Sequence, residues 1–266
     1  MSPPPHALIS GGSSGIGLAV AQRLAASGWR LSLLARRAEV LEQCADGLRG
    51  LGAAAVHCHA VDVADRVAVT VAVARALESC GAPDLVLTCA GIARPDYFAA
   101  LADADFVQAM AVNYFGTLHV LRAVLPAMRA RRAGHAVLVS SGAGLIGVYG
   151  YAAYAPTKFA VRGLAEVLRA ELRGDGVGVS VVHPPDTDTP LLAAENLTKP
   201  AETRAIAGAA QVMSADAVAA AILDGVRRRR FVIAPGLAMR ALAPLHSLLG
   251  PVLRWHFDRV AARAGR

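Results

Sequence analysis

Ser10-Gly11-Gly12-Ser13-Ser14-Gly15-Ile16-Gly17 decides the fold of this 266-residue chain. The apolar run His6–Ser10 leads into it and the periodic stretch 16–27 leads out, so the glycines join a first strand to a first helix. Glycine permits a tight turn and close backbone approach to a diphosphate, while a helix N-terminus offers unpaired N–H donors to its negative charge. Gly11, Ser13, Ser14, Gly15, Ile16 and Gly17 are therefore read as the pyrophosphate turn of a dinucleotide site.

Outward from this turn, short apolar runs alternate with helix-length segments. Further strands are expected at Arg30–Ala35, 54–60, 84–89, 135–140, 177–183 and 231–234. Helices are expected at 38–51, 64–80, 102–131, 152–173 and 215–229. Such alternation predicts one α/β domain of the Rossmann type, doubly wound around a seven-stranded parallel sheet. It occupies residues 1–235, and residues 236–266 form a basic amphipathic tail. Residues 184–213 interrupt the rhythm with prolines and threonines and are expected to be a loop over the substrate.

With 55% hydrophobic and 18% charged residues the chain can bury a substantial core. Cys44, Cys58, Cys80 and Cys89 show no metal-site spacing and read as reduced thiols. His57 and His59 flank Cys58 at strand spacing without a third ligand, so no metal is expected. Met1–Pro5 lacks a basic leader, and the uncharged stretch 133–157 is too polar for a membrane span, which points to the cytoplasm.

Residues 227–266 carry nine arginines against the single acid Asp258, or +8, which leaves −1 for the rest of a chain totalling +7. Leu245, Leu248, Val252 and Trp255 lie among them. This composition fits peripheral contact with the inner, anionic face of a membrane, or a segment packed over the pocket or a neighbouring subunit. Pro244 and Pro251 are expected to break any single helix there. No nucleic-acid recognition motif accompanies the arginines.

The second strand runs into Arg36 and Arg37, where an acid would bind the ribose of NAD and arginine accommodates the 2′-phosphate of NADP. NADPH is thus the expected cofactor. Asp62 and Val63 close the third strand beside the adenine, and Ala90 and Gly91 let backbone line the cofactor after the fourth.

Only two of the 27 basic residues are lysines, Lys158 and Lys199. Lys158 stands four residues after Tyr154, on one helical face, where a phenol beside an ammonium is a candidate proton donor of lowered pKa. Pro156 puts Tyr154 at the first turn of that helix. The glycine turn, Cys89-Ala90-Gly91, Asn113-Tyr114, Ser140-Ser141 and Tyr154-x-x-x-Lys158 together resemble the short-chain dehydrogenase/reductase family. The resemblance implies Tyr154 as proton donor in reduction, Lys158 lowering its pKa and holding the nicotinamide ribose, Ser141 orienting the carbonyl, and Asn113 anchoring a water relay. Tyr154, Lys158, Pro184 and Thr187 would also touch the cofactor. The family's usual N-N-A-G is Thr88-Cys89-Ala90-Gly91 here.

Pro184-Pro185-Asp186-Thr187-Asp188-Thr189-Pro190, then Glu195-Asn196-Leu197-Thr198-Lys199-Pro200 and Glu202-Thr203-Arg204, resemble the 3-ketodihydrosphingosine reductase branch of that family. This implies NADPH-dependent reduction of a lipophilic amino ketone in sphingolipid synthesis. Asp186, Asp188 or Glu195 would face the substrate ammonium, although Asp186 and Asp188 equally suit local turns beside the prolines. Other lipophilic ketones (steroid, retinoid or 3-ketoacyl) and a non-catalytic NADP-binding role remain alternatives. Family members suggest a homo-oligomer, dimer or tetramer.

Overall fold

The computed structural model describes residues 3–208 and 212–265. Seven strands, β1 (His6–Ser10), β2 (Arg30–Ala35), β3 (Ala55–Ala60), β4 (Leu85–Thr88), β5 (His135–Val139), β6 (Gly178–Val182) and β9 (Val232–Ile233), form one sheet. All its pairings are parallel, in the order β3-β2-β1-β4-β5-β6-β9. A separate two-stranded ribbon joins β7 (Thr187–Asp188) to β8 (Met213–Ser214).

Strand periodicity divides the core in two. Leu8, Val86, Leu138 and Val181 face α3 (Arg66–Cys80), α5 (Gly116–Arg131) and α6 (Ala155–Glu171). Their neighbours Ile9, Leu87, Val137 and Val182 face α1 (Gly15–Ala25), α2 (Ala38–Gly50) and α9 (Ala215–Arg227). Helices thus cover both faces, and the order reverses between β1 and β4, which opens a crevice at the carboxyl edge.

Buried histidines peg neighbouring strands. His6 Nε2 lies 2.9 Å from Ser32 Oγ, and His135 Nε2 lies 2.7 Å from Ser180 Oγ. Burial drives both rings down to a pKa of about 4, and does the same to His183.

Three expectations need correction. The segment 102–131 is not one regular helix: α4 (Asp103–Ala109) passes through a π-helical stretch, Met110–Phe115, into α5. Apolar periodicity does not register one wide turn, and Asn113 lies inside it. Nor is 184–213 an open loop, although residues 209–211 lie outside the described residues. It holds β7, α7 (Pro190–Thr198) and α8 (Ala201–Ala207), each helix entered through a proline. Proline at a helix start forfeits no intrahelical bond, so the composition that suggested a loop marks helix starts instead.

The third correction is the tail. α10 runs unbroken from Leu237 to Ala264 with Pro244 and Pro251 inside it. Each proline costs about 3 kcal/mol in a helix interior. The offset comes from a face recurring every three or four residues, with Met239 and Gly250 buried and Leu242, Leu249, Leu253 and Phe257 partly so. That face packs on α8 and over the crevice. No helix among the described residues is long and apolar enough to cross a membrane.

Candidate active site

The glycine turn is shaped by backbone crowding. At Gly11 the φ of +73° is left-handed, and an added Cβ would stand 2.7 Å from the Ala90 nitrogen. At Gly17 it would stand 2.3 Å from the Gly11 carbonyl oxygen. Only glycine lets β1, the loop after β4 and the first turn of α1 meet so closely. The Ser14 side chain does not cap α1, and no acid occupies its first turn. Its leading N–H groups are thus free for an anion. Gly11, Ser14, Gly15, Ile16, Ala90, Gly91, Pro184 and Thr187 all line the crevice. Ser13 and Gly17 do not line it; Gly17 packs against the Gly11 carbonyl, and the Ser13 carbonyl accepts from Cys44 Sγ.

Arg36 and Arg37 follow β2 and are exposed, with no ion pair among the described residues. Gly11 N donates to Leu34 O at 2.8 Å, which ties the glycine turn to the strand end that carries the two arginines. Asp62 is exposed and accepts from Ala64 N, while Val63 is buried against Gly116. Neither lines the crevice.

Tyr154, Lys158 and Ser141 converge on the crevice floor. Tyr154 precedes α6 as its N-cap, with Pro156 at the second helical position. Lys158 Nζ donates to Val139 O at 3.1 Å and stands 5.5 Å from the Tyr154 ring centroid. Burial lowers this ammonium to a pKa of about 8. Burial also pushes the Tyr154 phenol up, Glu195 adds to the rise, and a hydrogen bond with Ser141 opposes it. The phenol, held above its ordinary value, rests as a protonated donor. Cys89 beside Lys158 is raised by burial to about 11 and stays a thiol.

Asn113 is fully buried. Its Oδ1 accepts from Ile92 N at 2.8 Å, and its Nδ2 donates to Ile92 O and Thr157 Oγ1, each at 3.0 Å. The side chain therefore clamps the β4 loop to the helix that carries Lys158.

The substrate side departs further from the sequence reading. Glu195 is buried and lines the crevice with half-exposed Asp186, whereas Asp188 points to solvent away from it. Neither Asp186 nor Asp188 closes a side-chain turn among the described residues. Tyr151 donates to Glu195 Oε2 at 2.5 Å, and Lys199 Nζ lies 3.5 Å from both Glu195 and Asp186 carboxylates. Tyr97 donates to Glu202, Thr203 to Tyr149 O, and Arg204 to Lys199 O. The Lys199–Arg204 run thus staples α7 and α8 onto the loop that carries Tyr149 and Tyr151. Sequence reasoning missed Tyr151, Ile146 and Val148 on the crevice wall, while Met239, Leu242 and Phe257 belong to the tail that it allowed to pack over the pocket. The tyrosine in the Tyr151-x-x-Tyr154 pair was the one available signal.

A floor of this kind under a doubly wound crevice is that of an oxidoreductase working on a bound dinucleotide. The chain belongs to the short chain dehydrogenase family, whose profile matches residues 5–200. It is 37% identical to a 3-ketodihydrosphingosine reductase of Mus musculus over 94% of this chain and 76% of that protein. In fold it is similar to a short-chain dehydrogenase from Sphingobium yanoikuyae in complex with NADPH (TM-score 0.79, 27% identity, 93% of this chain and 95% of that one). A Burkholderia phymatum short chain dehydrogenase/reductase in complex with NAD gives a TM-score of 0.81 at 27% identity, covering 95% of each chain.

Proposed function

We propose that the protein reduces 3-ketodihydrosphingosine to dihydrosphingosine with NADPH. The observation that carries this reading is the joining of the Ser141–Tyr154–Lys158 floor to a wall from α7 and α8 that the Lys199–Arg204 run staples in place, with carboxylates and apolar side chains in one cleft. Similarity to a relative named for that reaction supports it. The glycine turn and the uncapped start of α1 fit a diphosphate, and Arg36 with Arg37 fits a 2′-phosphate. When bound, the nicotinamide supplies the hydride. Ser141 holds the carbonyl oxygen, and Tyr154 gives its proton to the oxygen as the C–H bond forms, so ketone, hydride and proton make the secondary alcohol. Lys158 binds the nicotinamide ribose and offers the replacing proton, with Asn113 anchoring the water path to it. Asp62 and Val63 flank the adenine.

NADPH absorbance followed with 3-ketodihydrosphingosine tests the reading. Turnover is expected, with NADH much poorer and Arg36→Ala eroding that preference about tenfold. Absence of turnover with NADPH still bound rejects the substrate and retains the cofactor.

Two surfaces extend the proposal. The tail 236–266 completes the substrate cleft with one face of α10. Its opposite face presents exposed Leu245, Leu248, Val252 and Trp255, with Arg259 stacked 4.1 Å from the Trp255 ring. This face meets an anionic cytoplasmic bilayer peripherally, from which a long-chain substrate is drawn, and Trp255→Glu should abolish liposome flotation. Exposed Phe115, Phe159 and Val167 on the π–α5 and α6 surfaces suit a homodimer or tetramer, which light scattering measures.

A further inference from the structure

We propose that Glu195 and Asp186 form a cation-selective filter that holds a protonated nitrogen beside the reacting carbonyl, with Lys199 behind them as a fixed counter-charge. The inference rests on the ketone-reductase reading above and specifies which ketones the site takes.

The cluster is mixed rather than acidic, and its members have distinct positions. Glu195 and Asp186 line the cleft, whereas Lys199 does not. The Lys199 side chain is 3% exposed and reaches both carboxylates from the protein side. Two carboxylates against one ammonium leave a formal local charge of −1, with Glu195 and Lys199 buried and Asp186 half-exposed. Glu195 Oε2 is engaged by the Tyr151 hydroxyl and Lys199. Its Oε1 accepts no hydrogen bond among the described residues, although the residue is only 7% exposed. An almost wholly buried side chain thus keeps one acceptor oxygen free in a lined cleft. A carboxylate in that position is costly unless paired. A second ammonium from the cleft side brings the cluster to two charges of each sign and fills the free oxygen.

Position relative to the chemistry narrows the ligand. The Tyr151 and Tyr154 rings lie 5.5 Å apart, so Glu195 stands one ring from the proton donor. Burial raises the Glu195 carboxyl, and Tyr151 and Lys199 oppose that rise. The negative charge at Glu195 in turn makes the Tyr154 proton harder to release. A cation seated on Glu195 cancels that field, so the right substrate both anchors itself and eases proton transfer. Beyond the carboxylates the cleft becomes apolar, with Leu191, Leu192, Ile206, Met239 and Phe257. The chemistry selected is a ketone with a protonated amine on the adjacent carbon and an alkyl chain.

The test compares a long-chain 2-amino-3-ketone with the same-length 3-ketone lacking nitrogen, using the full chain and NADPH. The wild type should favour the amino ketone in kcat/KM by about tenfold or more, and Glu195→Gln should lower that ratio by at least about tenfold. Raising pH until the substrate amine loses its proton should erode the wild-type preference and leave the variant's small ratio in place. Asp186→Asn, at a half-exposed position, gives the same readout where Glu195→Gln fails to fold. An unchanged ratio in the folded variants overturns the filter, because a purely structural ion pair would lower both substrates alike. A wild type that reduces the neutral ketone without preference also overturns it and leaves the reductase reading intact. A wild type that reduces neither ketone overturns both.

Discussion

The dinucleotide half and the substrate half of this molecule are held together by different means. From β1 to β5, position follows from backbone: parallel ladders, and glycines whose absent Cβ atoms let three segments meet. From Pro184 to Ala264, position follows from side chains: Tyr151 on Glu195, Thr203 on Tyr149, Arg162 on His246 and one face of α10. A backbone-built half presents the same crevice whatever its surface residues. A side-chain-built half changes its ligand with a few substitutions. On the proposed function, the cofactor is held mainly by the first half and the choice of ketone falls to the second.

That contrast is open to attack, beginning with the floor that both halves share. Tyr154→Phe removes the proposed proton donor and should cut turnover by about 10²–10⁴-fold while NADPH affinity, measured by fluorescence, stays near wild type. Weakened cofactor binding of the same size would mean that the phenol serves the dinucleotide half instead.

Acid should strike the parallel sheet and its ends first. His6, His135 and His183 have folded pKa values near 4, below the unfolded value, so the unfolded chain binds more protons between about 6.5 and 4. The stabilisation is complete above that window and declines as pH falls through it, by up to about 3 kcal/mol per ring. Thermal melts from pH 7 to 4.5 should show a steep fall in Tm, and His135→Asn should flatten it. A Tm independent of pH would remove the histidines from the account.

Gly17→Ala drives a methyl into the Gly11 carbonyl. It should cost about 1–3 kcal/mol in denaturant melts and weaken NADPH binding. Thr203→Val removes one hydroxyl bond to Tyr149 O and should cost about 1 kcal/mol, seen as faster amide exchange confined to 190–207. Equal exchange changes across β1 and β2 would show that the two halves are one cooperative unit.

The strands and the three floor residues were legible because they rest on local rules. His6–Ser10 and Arg30–Ala35 alternate or run apolar between turn residues, and Tyr154 and Lys158 share a face through helical spacing alone. The π-helical turn around Asn113 was not legible, since one extra residue per turn leaves apolar periodicity almost unchanged. Of the three carboxylates named for the substrate, Asp186 and Glu195 reach the cleft and Asp188 does not, because Thr187 takes the cleft side of the ribbon and its neighbour Asp188 the other, while Asp186 precedes the strand.

By itself the sequence determined the doubly wound sheet, the glycine turn and the placing of Ser141, Tyr154 and Lys158 at one site, each encoded within a few residues by steric and periodic rules. Tertiary structure alone decided that α10 survives two prolines, that its inner face joins the cleft, and that Lys199 reaches both Glu195 and Asp186 without lining the cleft itself. The reason is physical: a proline's local cost and a charge's local partner are each outweighed by burial against segments distant in the chain, and only the folded arrangement brings those segments together.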